Sequence, residues 1–395
     1  MINKEQIQHL ATTIFEEVVA YRRHLHANPE LSFKEFQTSA FVKSKLEEWG
    51  IPFEGIANTG VVGLITGDLP SDQIIALRGD MDALPINEAN DKPYISKNPG
   101  VMHACGHDVH TSSLLGAAYI LNSMKAEFGG TVKLIFQPGE EVLPGGASIM
   151  IAEGVLENPK PQHIIGQHVM PLIDAGKVGF RSGIYMASTD ELYVTVHGKG
   201  GHGAQPQQNI DPVLISAHIL VALQQIVSRN ADPRLPSVLS FGKVIANGAT
   251  NIIPNEVKME GTFRTLNEDW RKEAKRLMKK MAEGIAESMG GSCEFRIMDG
   301  YPFLINEEKL TANARALAED YLGKENVVDL DIWMAAEDFA YYSQVTDACF
   351  YRLGTGNAAK DTKYSVHHPN FDVDEDALKI STGLMAYIAL KQLGN

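Results

Sequence analysis

Along the first 185 residues, segments with the apolar spacing of helices alternate with segments that have the pattern of strands. An apolar stripe at helical spacing predicts a helix over residues 6–26 and a second over 33–49, where Ser32 and Glu35 have the spacing of a capping box. Short β-branched runs predict strands over 61–66, 73–77, 131–136 and 163–167, and helices are predicted near 109–125 and 146–152. This alternation indicates a mixed α/β sheet with helices on its faces.

The pattern changes between residues 187 and 300. Strands are predicted over 192–196, 238–245, 257–264 and 293–297. Asp211 followed by Pro212 predicts the start of one helix, running to about residue 228, and Asn267 caps a second, charged helix over 268–289. The order βαββαβ is that of a ferredoxin-like domain.

After residue 300 the first pattern resumes. Helices near 308–321 and 375–393 and a strand over 348–353 complete the same kind of α/β sheet. We therefore predict one α/β domain formed by residues 1–186 and 301–395, interrupted by a ferredoxin-like domain at 187–300.

Composition narrows the possible functions of this 395-residue chain. Its net charge of −14 argues against nucleic-acid partners, and the absence of about 18 uninterrupted apolar residues argues against a membrane span. Three widely spaced cysteines without an export signal argue against a disulfide framework. We expect a cytoplasmic protein without nucleic-acid or membrane partners.

The first candidate for chemistry is the pair Cys105 and His107, just before the helix predicted at 109–125. A thiolate and an imidazole two residues apart can face one divalent cation, and the N-terminus of the following helix favours the thiolate. Taken alone, Cys-x-His is a weak motif, and a buried cysteine beside surface histidines is the alternative.

A second candidate is the acidic pair Glu140 and Glu141 at the end of a predicted strand. Adjacent carboxylates repel each other, so a nearby cation is expected, with one carboxylate as ligand and the other accepting a proton from water. A solvated loop pair is the alternative. Further candidates at strand ends or in loops are Asp80, Asp82, His168, His367 and His368.

Together these motifs resemble those of the metal-dependent M20 amidohydrolases, in the branch that contains hippurate hydrolases, N-acyl-amino-acid deacetylases and indole-acetyl-amino-acid hydrolases. The resemblance covers nearly the whole chain. Its motifs are RRHLH at 22–26, GDMDALP at 79–85, HACGHD at 103–108, QPGEE at 137–141, GKGGH at 198–202, NIIP at 251–254, GTFR at 261–264, AEDF at 336–339 and HHPNF at 367–371.

The resemblance implies a zinc-peptidase-like catalytic domain with a two-metal centre. The implied general base is Glu140, and Asp82 orients a ligand. The family pattern His-x-Pro-x-Phe selects His367 rather than His368. Relatives outside this branch have His-x-Asp where this chain has Asp80-Met-Asp82, so Cys105 would replace the missing imidazole. The implied metal ligands are Cys105, His107, Glu141, His168 and His367.

The resemblance implies that the 187–300 domain is a lid and that it mediates formation of a homodimer. His202 matches a histidine that stabilises the oxyanion. Asn251 and Arg264 match positions that grip the substrate carboxylate, although a surface strand cation is the alternative for Arg264. A turn at 354–357, including Gly356, would place backbone donors beside the substrate.

The implied activity is hydrolysis of the amide bond in N-acyl-L-amino acids, with an acetyl, benzoyl or similar acyl group. Thiolate and imidazole ligands favour Zn²⁺, with Mn²⁺, Co²⁺ and Ni²⁺ as alternatives. A metallocarboxypeptidase or dipeptidase on the same scaffold remains open. So do a metal-free hydrolase that uses Cys105 and a non-catalytic binding protein.

Overall fold

The computed structural model describes residues 2–394, which divide into two compact units. The first unit comprises residues 2–185, 305–332 and 338–394, and the second comprises 186–304 and 333–337. The sequence placed residues 333–337 in the first domain. They fall in the second unit, as do residues 186 and 301–304, and the Ala187 amide donates to the carbonyls of Trp333 and Ala335.

Helices and strands are interspersed along the chain. In chain order, the helices are α1 (Lys4–Thr13), α2 (Phe15–Ala27), α3 (Phe36–Glu48), α4 (His107–Ser123), α5 (Gly146–Ala152), α6 (Pro212–Gln225), α7 (Glu268–Ser288), α8 (Glu308–Leu322), α9 (Ala340–Ser343) and α10 (Asp376–Gln392). The strands are β1 (Phe53–Ile56), β2 (Gly60–Thr66), β3 (Leu69–Asp80), β4 (Gly129–Gln137), β5 (His163–Asp174), β6 (Val178–Phe180), β7 (Gly183–Met186), β8 (Asp190–His197), β9 (Gly201–His202), β10 (Ser237–Ile245), β11 (Ile252–Ile253), β12 (Glu256–Thr265), β13 (Ser292–Asp299), β14 (Leu304–Asn306), β15 (Val327–Asp329) and β16 (Asp347–Gly356).

An eight-stranded mixed sheet forms the centre of the first unit, in the order β1-β2-β4-β3-β5-β16-β6-β15. The pairs β4/β3, β3/β5 and β5/β16 are parallel, whereas β1/β2 and β2/β4 are antiparallel. Parallel strands align their carboxyl ends at one edge of a sheet, which is where α/β proteins bind ligands. The ends of β3 and β4, at Asp80 and Gln137, are direct partners in the ladder. The predicted mixed α/β class is confirmed.

Helices α4 and α10 supply much of the core of this unit. Their residues are buried on nearly every side, since α4 packs against α2, α10 and β3. A helix that is apolar around its whole circumference is stable only when it is surrounded. This packing anchors α4, whose first residue is His107.

The second unit contains a four-stranded antiparallel sheet in the order β10-β12-β8-β13, together with α6 and α7. The chain order βαββαβ and the strand order agree with the predicted ferredoxin-like arrangement. Asp211 accepts from the Val213 amide at 2.8 Å and Asn267 from the Trp270 amide at 2.8 Å, so both predicted caps form.

One helical stretch in the described chain, Pro212–Asn230, is long and apolar enough to cross a membrane, with 33% of its most apolar window buried. A single stretch of this kind is weak evidence for a membrane segment, because core helices of soluble proteins have the same composition. In this structure α6 packs against α7, β8 and β12.

Two local predictions are wrong. The helix predicted over residues 6–26 is interrupted at Ile14, which separates α1 from α2. Ser32 and Glu35 do not form a capping box. The Ser32 hydroxyl donates to Asp82 at 2.6 Å, and Glu35 accepts from the Gly139 amide at 2.8 Å. Both side chains are used by partners distant in sequence, which the local pattern does not reveal.

Candidate metal centre

Cys105 and His107 lie on a tight turn that opens α4. Gly106 between them has φ +81°, and a Cβ at this position would lie 2.5 Å from Val169 Cγ2. Only glycine avoids both the strained backbone and this clash. The turn places Cys105 Sγ 3.4 Å from His168 Nε2.

His168 comes from β5, the strand beside β16. Its Nδ1 donates to the Val169 carbonyl at 2.8 Å, which leaves Nε2 directed at Cys105. Burial, reinforced by the nearby Arg352 guanidinium, holds the His168 pKa well below its usual range. The imidazole is therefore neutral, as a metal ligand must be.

Glu140 and Glu141 follow β4 in a turn that again requires glycine. Gly139 has φ +59°, and a Cβ there would meet Phe33 Cε1 at 2.4 Å. Glu141 Oε1 lies 4.0 Å from His107 Nε2 and 3.4 Å from His367 Nε2. Carboxylate oxygens of both glutamates lie within 4.8 Å of a His107 ring nitrogen.

Asp82 holds two of the predicted ligands at once. One of its carboxylate oxygens pairs with His107 Nδ1 at 3.1 Å, and the other accepts from the Glu141 amide at 3.0 Å. The Asp82 carbonyl lies 2.9 Å from the same His107 nitrogen. With Nδ1 bound in this way, Nε2 is the nitrogen of His107 that is directed at the carboxylates.

The two adjacent histidines of the HHPNF motif have different surroundings. His367 Nε2 faces the Glu141 carboxylate at 3.4 Å. His368 Nδ1 instead accepts from the Asn370 amide at 3.0 Å, and its ring stacks on Tyr364 with 4.7 Å between centroids. The geometry therefore favours His367 as the candidate ligand.

The chemistry of these side chains fits divalent cations. His107 Nε2 and Glu141 Oε1 are buried without a hydrogen-bond partner among residues 2–394. Burial, together with Glu141 and Glu140, raises the pKa of the Cys105 thiol well above its usual range. In the protein without a cation, burial and these carboxylates therefore oppose the thiolate form. A bound cation would supply the missing positive charge.

The pKa of His107 shows the same excess of negative charge. Burial lowers this pKa, but Asp80 and Asp82 more than offset the effect and raise it to about 10. The ligand atoms form two groups, each within 4.8 Å, that share the thiol: Cys105, His107 and His168, and Cys105, Glu141 and His367. These residues could hold two neighbouring cations.

A buried network behind these groups was missed by the sequence reasoning. Asp80 accepts from Arg78 at 2.5 Å and pairs with His110 Nδ1 at 2.6 Å, and Arg78 also donates to Asp338 at 2.8 Å. His110 is three residues beyond His107, on the same face of α4, and this spacing was the available signal. Asp80 also lies 3.5 Å from His107 Nε2, so its carboxylate contacts Arg78, His107 and His110.

His202 lies in a small antiparallel pair of the second unit, β9 with β11, and Asn251 immediately precedes β11. His202 is exposed, and its Nδ1 accepts from the Ala204 amide at 3.0 Å. The Asn251 carbonyl accepts from the Gly203 amide at 2.8 Å. With Nδ1 as acceptor, the neutral ring carries its proton on Nε2.

Arg264, on β12 of the same unit, is half-buried and donates to the Met334 carbonyl at 3.0 Å. Burial lowers the pKa of its guanidinium. This placement differs from the surface strand cation that was its alternative. With one contact to the main chain, other donors of the guanidinium are available for a carboxylate.

The predicted turn at 354–357 is wrong. Strand β16 continues to Gly356, where a Cβ would lie 2.0 Å from the Pro171 carbonyl oxygen, so glycine is required for strand packing. The amide of Gly354 donates to Lys177 and that of Asn357 to Thr362. These two donors are therefore engaged within the protein.

Residues 76–391 match the model of Peptidase family M20/M25/M40. The chain belongs to this family. It is 42% identical over 309 residues to an N-acyl-L-amino acid amidohydrolase of Geobacillus stearothermophilus, covering 78% of this chain and 83% of that protein. It is 39% identical over 391 residues to thermostable carboxypeptidase 2 of Saccharolobus solfataricus, covering 98% of each.

A crystal structure of a Bacillus subtilis protein, described as a dinuclear metal binding peptidase from the M20 family, has the same fold. It superposes with a TM-score of 0.83 at 34% identity, covering 97% of this chain and 99% of that one. The M20 resemblance recognised in the motifs is thus confirmed, and the protein is a hydrolase of amide bonds.

Proposed function

We propose that this M20 hydrolase cleaves the amide bond of N-acyl-L-amino acids, giving a carboxylic acid and a free amino acid. One observation carries the proposal: thiol, imidazole and carboxylate donors converge beside Glu140, and two of the buried ligand atoms have no hydrogen-bond partner within residues 2–394. The similarity to an N-acyl-L-amino acid amidohydrolase supports the same substrate class.

Two divalent cations would be held by Cys105, His107, Glu141, His168 and His367, and would supply Lewis acidity toward the amide carbonyl and water. The thiol and imidazole donors favour Zn²⁺, with Mn²⁺, Co²⁺ or Ni²⁺ as alternatives.

Glu140 is the proposed general base. Its carboxylate is buried, and Oε1 accepts from the Asp338 amide at 3.3 Å, which orients it. Glu140 would take a proton from the attacking water and return it to the leaving amine. Proton transfer of this kind contributes about 10²–10⁴-fold to rate.

The remaining proposed roles concern the substrate. His202, with its proton on Nε2, would donate to the oxyanion, and Arg264 with Asn251 would bind the carboxylate of the amino acid. Gly356 is retained as a proposed main-chain contact to the substrate. We also propose that the 187–300 segment mediates a homodimer.

A carboxypeptidase is the second candidate, because a relative of that name is 39% identical over nearly the whole chain. Both reactions cleave an amide next to a free α-carboxylate, so they differ in what occupies the acyl side. A panel that crosses acetyl, benzoyl and aminoacyl groups with several amino acids would separate them by kcat/KM.

Glu140→Gln and Glu141→Gln form a matched pair for the test. We expect E140Q to retain two metal ions per chain by elemental analysis and to lose about 10²–10⁴-fold in kcat. We expect E141Q to lose metal as well. Near-normal turnover by E140Q would contradict the role of Glu140, and full activity after exhaustive chelation would favour a metal-free Cys105 hydrolase. Substrate binding without turnover across the panel and all four metals would indicate a binding protein.

A further inference from the structure

His367 differs from the other candidate ligands in its backbone and its exposure. It has φ +67°, in the left-handed region, and its side chain is 53% exposed. Such a conformation is unfavourable for a non-glycine residue and persists only where the surroundings enforce it. Contacts around residue 367 must therefore hold its backbone in this conformation.

Part of the constraint comes from the adjacent ligand segment. The His367 amide donates to the carbonyl of Ala104 at 2.7 Å, next to Cys105. This hydrogen bond fixes the position of the His367 amide, whereas the residues after His367 are held by other contacts.

The following residues are held by Ala89 and Asn90, in the loop after β3. The Ala89 amide donates to the Pro369 carbonyl at 2.9 Å, and Asn370 Nδ2 donates back to the Ala89 carbonyl at 3.0 Å. Asn90 Nδ2 donates to the Phe371 carbonyl at 2.9 Å. We name this set of three hydrogen bonds, between residues 89–90 and 369–371, the 89–90 clasp.

Buried charges anchor both sides of the clasp to α2. On one side, Glu88 pairs with His26 at 3.1 Å, and His26 pairs with Asp108 at 2.8 Å. On the other side, Asp372 pairs with Arg22 at 2.9 Å, and Arg22 also pairs with Asp108 at 2.8 Å. Arg22, His26 and Asp108 are fully buried, so this anchor is well shielded from solvent.

We propose that the 89–90 clasp is a positioning device that holds His367 in its ligand conformation and thereby sets the affinity of the cation held by Cys105, Glu141 and His367. The inference rests on the proposed role of His367 as a ligand. Asn90 and Asn370 are positioning residues, since they act through the main chain of residues 369–371. The cation held with His107 and His168 does not depend on the clasp.

Asn90→Ala and Asn370→Ala remove one clasp bond each, from opposite sides. Asn90 also donates to Glu88 at 3.0 Å, whereas the Asn370 side chain does not, so agreement between the two variants isolates the clasp. Asp91→Ala is the matched control, because Asp91 is exposed in the same loop and makes no hydrogen bond or ion pair within residues 2–394. Circular dichroism and thermal unfolding verify that each variant is folded.

The measurement is Co²⁺ binding by equilibrium dialysis, with the absorption spectrum recorded at each step. For N90A and N370A we expect one Co²⁺ to bind about 10–100-fold more weakly while the other keeps its affinity, a range typical of lost ligand-supporting contacts. D91A should match the wild type.

His367→Ala separates this inference from the ligand assignment. It should abolish the same Co²⁺ site, and retention of both ions with wild-type affinity would overturn the assignment and the clasp together. Loss of one ion in H367A, with wild-type affinities in both N90A and N370A, would overturn the clasp alone. Equal weakening of both ions in N90A and N370A would likewise contradict a role confined to His367.

Discussion

Asp82→Asn tests whether a single buried carboxylate organises the candidate metal centre. Asp82 is 1% exposed and contacts three groups: His107 Nδ1 at 3.1 Å, the Ser32 hydroxyl at 2.6 Å and the Glu141 amide at 3.0 Å. Asparagine has nearly the same shape, so the substitution removes the charge and one acceptor without creating a cavity. Two of the three contacts are to candidate ligands.

The expected loss of metal affinity depends on the contacts that His107 keeps after the substitution. Loss of a ligand-supporting partner costs about 10–100-fold in metal affinity. The Asp82 carbonyl stays within 2.9 Å of His107 Nδ1, so the imidazole keeps one acceptor after the substitution. We therefore expect D82N to bind metal about tenfold more weakly, which is the lower end of this range and corresponds to about 1.4 kcal/mol.

The assay is competition for Zn²⁺ against a chelator of known affinity, followed by turnover at saturating metal. Ser32→Ala removes one neutral donor to the same carboxylate, and we expect it to cost less than threefold, about 0.6 kcal/mol. Wild-type Zn²⁺ affinity in D82N would refute the reasoning, as would a larger loss in S32A than in D82N.

Three further predictions concern protons, a buried ion network and a turn. The His107 pKa, raised to about 10 from 6.5, makes its charged form stabilising in the cation-free protein; this contribution is complete below about pH 6.5 and lost as pH rises through 10. Thermal unfolding of chelated protein should show this loss, and calorimetry in two buffers near pH 8 should show proton release on metal binding. Arg78→Met leaves the buried Asp80 and Asp338 carboxylates without the guanidinium that both contact. We expect urea unfolding to show that the free energy of unfolding falls by about 3–5 kcal/mol, and a decrease below about 1 kcal/mol would contradict this. Gly106→Ala should lower both the melting temperature and metal content because of the 2.5 Å contact with Val169, whereas Gly176→Ala, at φ +100° with open space around it, should leave metal content unchanged.

Local sequence was sufficient for most of the elements. Helix α5 was predicted over residues 146–152 and observed at Gly146–Ala152, and the Asp211 and Asn267 caps form as expected. These features depend on side chains within a few residues of one another. Where a local signal competed with a distant partner, as for Ser32 with Asp82, the local prediction was wrong.

The motifs also named side chains that the fold brings together. Cys105, His107, Glu141, His168 and His367 are separated by up to 262 positions, yet their ligand atoms fall into groups within 4.8 Å. Their roles as metal ligands remain predictions. The roles of His202, Asn251, Arg264 and Gly356 toward a substrate remain predictions as well.

The sequence by itself determined the element types, the mixed α/β class and the candidate ligands, because periodicity, caps and motifs are local in the chain. Only the tertiary structure decided the Asp80–Arg78–Asp338 network, the raised pKa values of Cys105 and His107, and the 89–90 clasp around His367. Burial and electrostatic interaction depend on distance in space, and Arg78 and Asp338 are 260 residues apart in the chain.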